Sequence, residues 1–165
     1  MRKIGGVKIA SVPAVHSNGL SPAYLSADAA KALADNGLTA YVGPSGRYVL
    51  TFSNGLALYL SGDTGITAEQ DLVVRRFYNA KLAVLNIGGT FTTGPTEAAY
   101  VINDLVKAAS VIASHANEQA TKGGKLQPGT RTAMFKDAVK VPVHLPLAGG
   151  TMEFDSNGVC QMNCS

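Results

Sequence analysis

The sequence predicts one α/β domain in which strands and helices alternate and stack in layers. Three observations carry this. Short apolar runs rich in β-branched residues recur along the chain, segments with Ala and Leu at helical spacing separate them, and an Asn-Gly pair joins two of the apolar runs directly. "VKIASVPAV" (7–15) lacks helical spacing and reads as a strand that delivers His16 at its end. In "SADAAKALADNGL" Ser26 is a suitable N-cap and Gly37 a C-cap, which brackets a helix over about 27–36.

"RYVLTF" and "LALYL" flank Ser53-Asn54-Gly55, the strongest short-range hairpin signal, and lead into Asp63. Thr67 with Gln70 three residues on forms a capping box, so "AEQDLVVRRFYNA" should be a helix of about three turns. "KLAVLNIGG" reads as a buried strand ending in glycines. "TGPTEAAYVINDLVKA" follows as a helix, with Pro95 in its first turn and Glu97 placed favourably against the macrodipole. "SVIASH" is the next strand and ends on His115. "GTRTAMFKDAVK" supplies a last helix, and "VPVHLPL" with "GTMEF" a final strand pair around Gly149-Gly150.

A chain of 165 residues with 46% hydrophobic content is enough for one real core and too short for two domains. Fourteen basic and eleven acidic residues are spread along it, so no footprint for nucleic acid or an anionic membrane is visible, and a small-molecule substrate is the expected partner. The opening "MRKIGGVKIA" has cations but no apolar segment behind them. No apolar run approaches a membrane span, which makes the chain as given soluble, without a signal of its own. Cys160 and Cys164 stand close together as "CQMNC", a spacing that suits either a small disulfide loop or two surface thiols.

His16, Asp63 and His115 each follow an apolar strand. In α/β sheets such termini line one crevice, where ligands bind. Two imidazoles and a carboxylate are donors that zinc and similar divalent ions accept. The bland alternative is a solvent-facing histidine at each strand end and an ordinary turn at Gly62-Asp63.

"YLSGDTGI", "LAVLNIGGTFTTGPTEAAYVI" and "SVIASHANEQATKGGKLQPGTRTAMF" resemble, in that order, the carboxyl-terminal half of the metallo-β-lactamase superfamily, nearest its metal-dependent hydrolases of the sugar-phosphate-lactonase type. The likeness runs from about Val7 to Asp155. It implies a partial αββα sandwich, a mixed sheet with helices packed on one face. It also implies a metal-activated water acting on an ester, lactone or related bond.

By the same resemblance His16, Asp63 and His115 are metal ligands, Asp63 bridges two ions, and Asp63 and His115 are the catalytic positions. The ion would be zinc, with manganese or iron as substitutes.

The family's His-x-His-x-Asp-His motif does not occur, since His144 is the one remaining histidine. The resemblance therefore implies the C-terminal half of a domain whose amino-terminal metal motif is absent, either a piece of a longer parent, of a type that is frequently exported, or a degenerate relative. A half-sandwich would leave one sheet face uncovered and open to self-association. The alternative is a binding or scaffold remnant without chemistry.

Lys122, Lys125 and Arg131 could attract an anion, but they read more readily as solvated loop cations. "IGGTFTTGP" lacks the Lys-Ser/Thr ending of a phosphate-cradling loop and reads as a packing turn. Ser114 precedes His115 on a strand and should point to the other face. His144, between "VPV" and "LPL", reads as structural.

Overall fold

The computed structural model describes residues 1–164. Its centre is a seven-stranded sheet whose spatial order follows the chain: Arg2–Ile4, Val7–Pro13, Gly46–Thr51, Ala57–Leu60, Leu82–Asn86, Ser110–Ser114, Val143–His144. The first three junctions are antiparallel and the last three parallel. Counted from Val7–Pro13, two reversals return the chain to that strand's direction. Val7–Pro13 therefore runs the same way as Ala57–Leu60 and the parallel strands after it, and the carboxyl ends of these strands share one edge of the sheet.

Alternation along the strands divides the sheet into two faces. Val49, Tyr59, Ala83, Leu85, Val111 and Ala113 are buried on one of them, beneath Val74, Ala98, Ile102 and Phe135 of the helical segments. The other face carries Tyr48 and Leu60 with substantial exposure. Helices on one face of a mixed sheet is the layering expected from the sequence.

The locally encoded elements form where expected. Ala27–Asp35 is helical, and the Ser26 hydroxyl accepts the Ala29 amide proton at 3.3 Å. Gly46–Thr51 and Ala57–Leu60 pair across the Asn-Gly turn, where Asn54 Oδ1 accepts from the Leu56 amide and Gly55 has φ +90°. Pro95–Tyr100 begins at Gly94-Pro95, and Arg131–Ala138 is capped by Thr130.

Three details differ. The segment after Asp63 is not an α-helix: Gln70–Arg75 is wound as a π-helix, and Val101–Val106 continues Pro95–Tyr100 in the same way. Gln70 and Val74 are both buried on it, one in a polar network with Tyr59 and the other in the core. The Thr67–Gln70 capping box is half formed. Gln70 Oε1 accepts the Thr67 amide proton at 3.0 Å, but the Thr67 hydroxyl is taken by the Arg47 guanidinium.

The final strand pair is also a correction. Val143–His144 joins the main sheet beside Ser110–Ser114, while Glu153–Phe154 pairs with Cys160–Met162. Parallel pairing with a buried strand covers Val143 and His144 as a local hairpin could not. His144 is buried with its ring edge-on to Phe154, 5.3 Å between centroids, a structural role as expected.

Cys160 and Cys164 form a disulfide, the first of the two arrangements their spacing allowed. Among the described residues no helix is long and apolar enough to cross a membrane.

The C-terminal hairpin docks through Gly158. Its carbonyl accepts the Ser110 hydroxyl at 2.5 Å, its φ is +76°, and a Cβ there would stand 2.3 Å from the Lys81 carbonyl oxygen. Gly158→Ala is expected to lower stability by about 1–3 kcal/mol through backbone strain and overpacking. An unchanged urea midpoint would contradict that docking.

Candidate metal centre

The turn that carries Asp63 is fastened from below by side chains that the sequence reading did not single out. Ser61 and Asn86, both buried at adjacent strand ends, hold each other: the Asn86 amide donates to Ser61 Oγ at 3.0 Å, and Ser61 Oγ stands 3.0 Å from Asn86 Oδ1. Asn86 Nδ2 donates to the Thr64 carbonyl at 3.1 Å and to Thr93 Oγ1 at 2.8 Å, while the Thr93 hydroxyl donates to the Asn86 carbonyl at 2.9 Å. Every polar group of Asn86 thus has a use, which removes the penalty of burying an amide.

Thr64, fully buried, links this network to a second strand end. Its hydroxyl accepts the Val15 amide proton at 3.1 Å and donates to the Gly65 carbonyl at 3.0 Å, and the Gly65 amide returns to the Val15 carbonyl at 3.0 Å. Val15 precedes His16 and Thr64 follows Asp63, so one threonine sets the separation of two candidate ligands.

Deeper still, Arg47 lies fully buried with Nη1 3.0 Å from the Tyr59 hydroxyl and 3.5 Å from Thr64 Oγ1, and its Nη2 3.9 Å from Glu69. Burial pushes the Tyr59 phenol up, against the Arg47 charge. The Glu69 carboxyl is held below its usual range by its own backbone amide first, then by Thr67, with Arg47 adding a smaller share.

His115 is positioned from the other side. Its φ is +46°, a left-handed conformation that a non-glycine residue adopts only when its surroundings impose it. The Ile87 amide bonds to the Ser114 carbonyl at 3.0 Å, and Gly88 lets the two strand ends close up: a Cβ on it would lie 2.4 Å from the His115 carbonyl oxygen. The glycines of "NIGG" thus serve packing, as their spacing implied. Beyond His115, Arg131 Nη1 donates to the Ala116 and Asn117 carbonyls at 3.2 and 3.3 Å, and Glu118 Oε1 accepts the Thr132 amide proton at 2.9 Å.

At the rim, the three residues expected from the sequence converge. Asp63 Oδ1 lies 2.7 Å from His115 Nδ1, and Asp63 Oδ2 lies 3.9 Å from His16 Nε2. One carboxylate thus faces an imidazole with each of its oxygens, and all three side chains are partly exposed, between 27% and 42%. His16 Nδ1 sits 3.2 Å from the Ser17 hydroxyl.

The donor chemistry fits a divalent ion in type, as imidazole nitrogen and carboxylate oxygen are its usual partners. It fits only in part in number: among the described residues no group of three or more His, Cys, Asp or Glu is arranged to hold an ion unaided. His144 stands in the sheet among buried residues and outside this set. Lys122 and Lys125 lie exposed on the small hairpin after His115, and Arg131 is turned to backbone carbonyls.

No family model matches the chain. Curated proteins similar to it include metal-dependent hydrolases. Over 114 residues, 69% of the chain, it is 32% identical to a UPF0173 metal-dependent hydrolase of Solibacter usitatus, spanning 43% of that protein. Over 81 residues it is 35% identical to one of Roseiflexus, spanning 32% of it. The chain thus spans less than half the length of these relatives.

Among solved structures it resembles Igni18, a metallo hydrolase of Ignicoccus hospitalis, with TM-score 0.53, 26% identity and coverage of 86% of this chain and 51% of that one. The metallo-β-lactamase fold protein YhfI of Bacillus subtilis gives TM-score 0.57 at 10% identity, covering 90% and 50%. The expected fold is borne out, over about half the length of these structures.

Two outcomes follow from this geometry. Thr64→Val keeps the shape and removes the hydroxyl that ties the two loops. Stability should fall by about 1–3 kcal/mol and the Val15 amide should lose hydrogen-exchange protection, with Thr64→Ser affected less; equal protection in all three proteins would contradict the assignment.

The Glu118 carboxyl is pushed up by burial, but hydrogen bonds from the Arg131 and Thr132 backbone and the Thr132 hydroxyl outweigh this and leave it below its usual 4.5. A depressed carboxyl contributes stability above its unfolded pKa and loses it as pH falls through the folded one. Acid unfolding curves should therefore show a shallower decline below about pH 4.5 in Glu118→Gln than in the wild type.

Proposed function

We propose that the protein acts as a metal-dependent hydrolase, in which His16, Asp63 and His115 contribute to holding one or two divalent ions, zinc foremost, at the sheet rim. The observation that supports this best is the single Asp63 carboxylate facing His115 with one oxygen and His16 with the other. The homology to metal-dependent hydrolases supports the reaction class. A bound ion of this kind supplies a Lewis acid and an acidified water for cleaving an ester, lactone or related bond.

This chain's residues have separate tasks in that reading. Asp63 offers two oxygens in different directions, which suits a bridging role between ions. His16 and His115 set the lateral limits of the site, each anchored by backbone rather than by a flexible stem. The left-handed backbone at His115 and the close approach at Gly88 keep that imidazole on the rim. The partial donor set implies an affinity weaker than that of a site with three protein ligands on one ion.

Calorimetric titration of the purified chain with Zn²⁺ and Mn²⁺, alongside hydrolysis of simple aryl esters and lactones, tests the reading. Asp63→Asn should weaken binding by about tenfold or more, and His16→Ala and His115→Ala each by a similar factor, with hydrolysis falling in parallel. Binding unchanged in Asp63→Asn would overturn it.

A further inference from the structure

Beside His115, on the side away from His16 and Asp63, the rim opens into a cavity of about 380 Å³. That is within the range of pockets for small organic molecules. Its walls are the loop after His115 and the 145–148 segment: Ala116, Ala120, Leu145, Leu147 and Ala148 supply apolar surface, and Glu118 is the one acidic side chain among the lining residues.

No lysine or arginine lines it. Lys122 and Lys125 lie outside the lining, and the Arg131 guanidinium is engaged by the Ala116 and Asn117 carbonyls. The amino terminus of the Arg131–Ala138 helix, which would otherwise favour an anion, is filled by the Glu118 carboxylate through the Thr132 amide and hydroxyl.

We infer that this cavity is the subsite for an uncharged, mainly apolar portion of a small carbonyl substrate, and that Glu118 selects against anionic substrates there. Its use as a substrate subsite rests on the hydrolase reading above; its preference for neutral over anionic ligands does not. Away from the His115 edge where an ion would sit, a carboxylate or phosphate entering the cavity would meet the Glu118 charge with no lysine or arginine in the lining to pair with it, whereas a neutral ring or chain would replace water on alanine and leucine surface.

The test uses the ¹⁵N-labelled chain and two probes of matched size, cyclopentanone as the neutral carbonyl compound and cyclopentanecarboxylate as the anion, followed by amide chemical shifts. Cyclopentanone should shift the Ala116, Thr121 and Ala148 amides, and the carboxylate should bind at least about fivefold more weakly. Glu118→Gln, which keeps the acceptor oxygen for Thr132, should bring the two probes within about twofold of each other.

Ala148→Leu, at an exposed position, should abolish the cyclopentanone shifts by filling the space. Asp63→Asn separates the two readings: ion binding should weaken by about tenfold or more while cyclopentanone binding persists. Equal or tighter binding of the carboxylate to the wild type, or cyclopentanone shifts that leave those three amides untouched, would overturn the inference.

Discussion

The Asp63 turn is held by buried hydrogen bonds from three strand ends at once, and the rim depends on that arrangement. Asn86 reaches sideways to Ser61, Thr64 and Thr93, while Thr64 reaches across to Val15. Buried polar groups carry a high cost unless each is paired, so such a network tolerates few alternative geometries. The result is that a carboxylate on a glycine-flanked turn, Gly62 on one side and Thr64-Gly65 on the other, is placed between two imidazoles.

Sheet topology makes this economical. Because the chain reverses twice after Val7–Pro13 and then proceeds in parallel, the ends after Pro13, Leu60, Asn86 and Ser114 all emerge along one edge. Residues separated by tens of positions then need only short loops to meet. Arg47 extends the same logic beneath the turn, tying Tyr59, Thr64, Thr67 and Glu69 into the base of the site, although its Nε finds no acceptor among the described residues.

What the sequence disclosed and what it concealed divide along the range of the interactions. The Ser26 cap, the Asn54-Gly55 turn and the strand-to-histidine junctions are local in origin and were legible. His16, Asp63 and His115 were legible as a group because strand ends in such sheets share a crevice. Arg47 was not: a cation in "GRYVLT" reads as a surface residue, and its burial depends on acceptors 12 to 22 positions away. Asn86 in "LAVLN" gives no local sign that it will organise three loops. The π-wound turns and the placement of Val143–His144 were hidden for the same reason, since neighbours distant in sequence decide them.

The rim has an uneven electrostatic character. Its centre gathers one carboxylate and two imidazoles, its lower flank holds a fully enclosed guanidinium, and its outer flank beside His115 ends in the Glu118 carboxylate against apolar walls. The account stands on the centre as the place where a divalent ion settles. Anomalous diffraction from crystals of the chain soaked in Zn²⁺ tests that most directly. The account predicts a zinc peak within coordination distance, about 2.0–2.2 Å, of Asp63 and at least one of the His16 and His115 imidazoles. Zinc bound elsewhere, with the Asp63–His115 contact intact and no density at the rim, would contradict it.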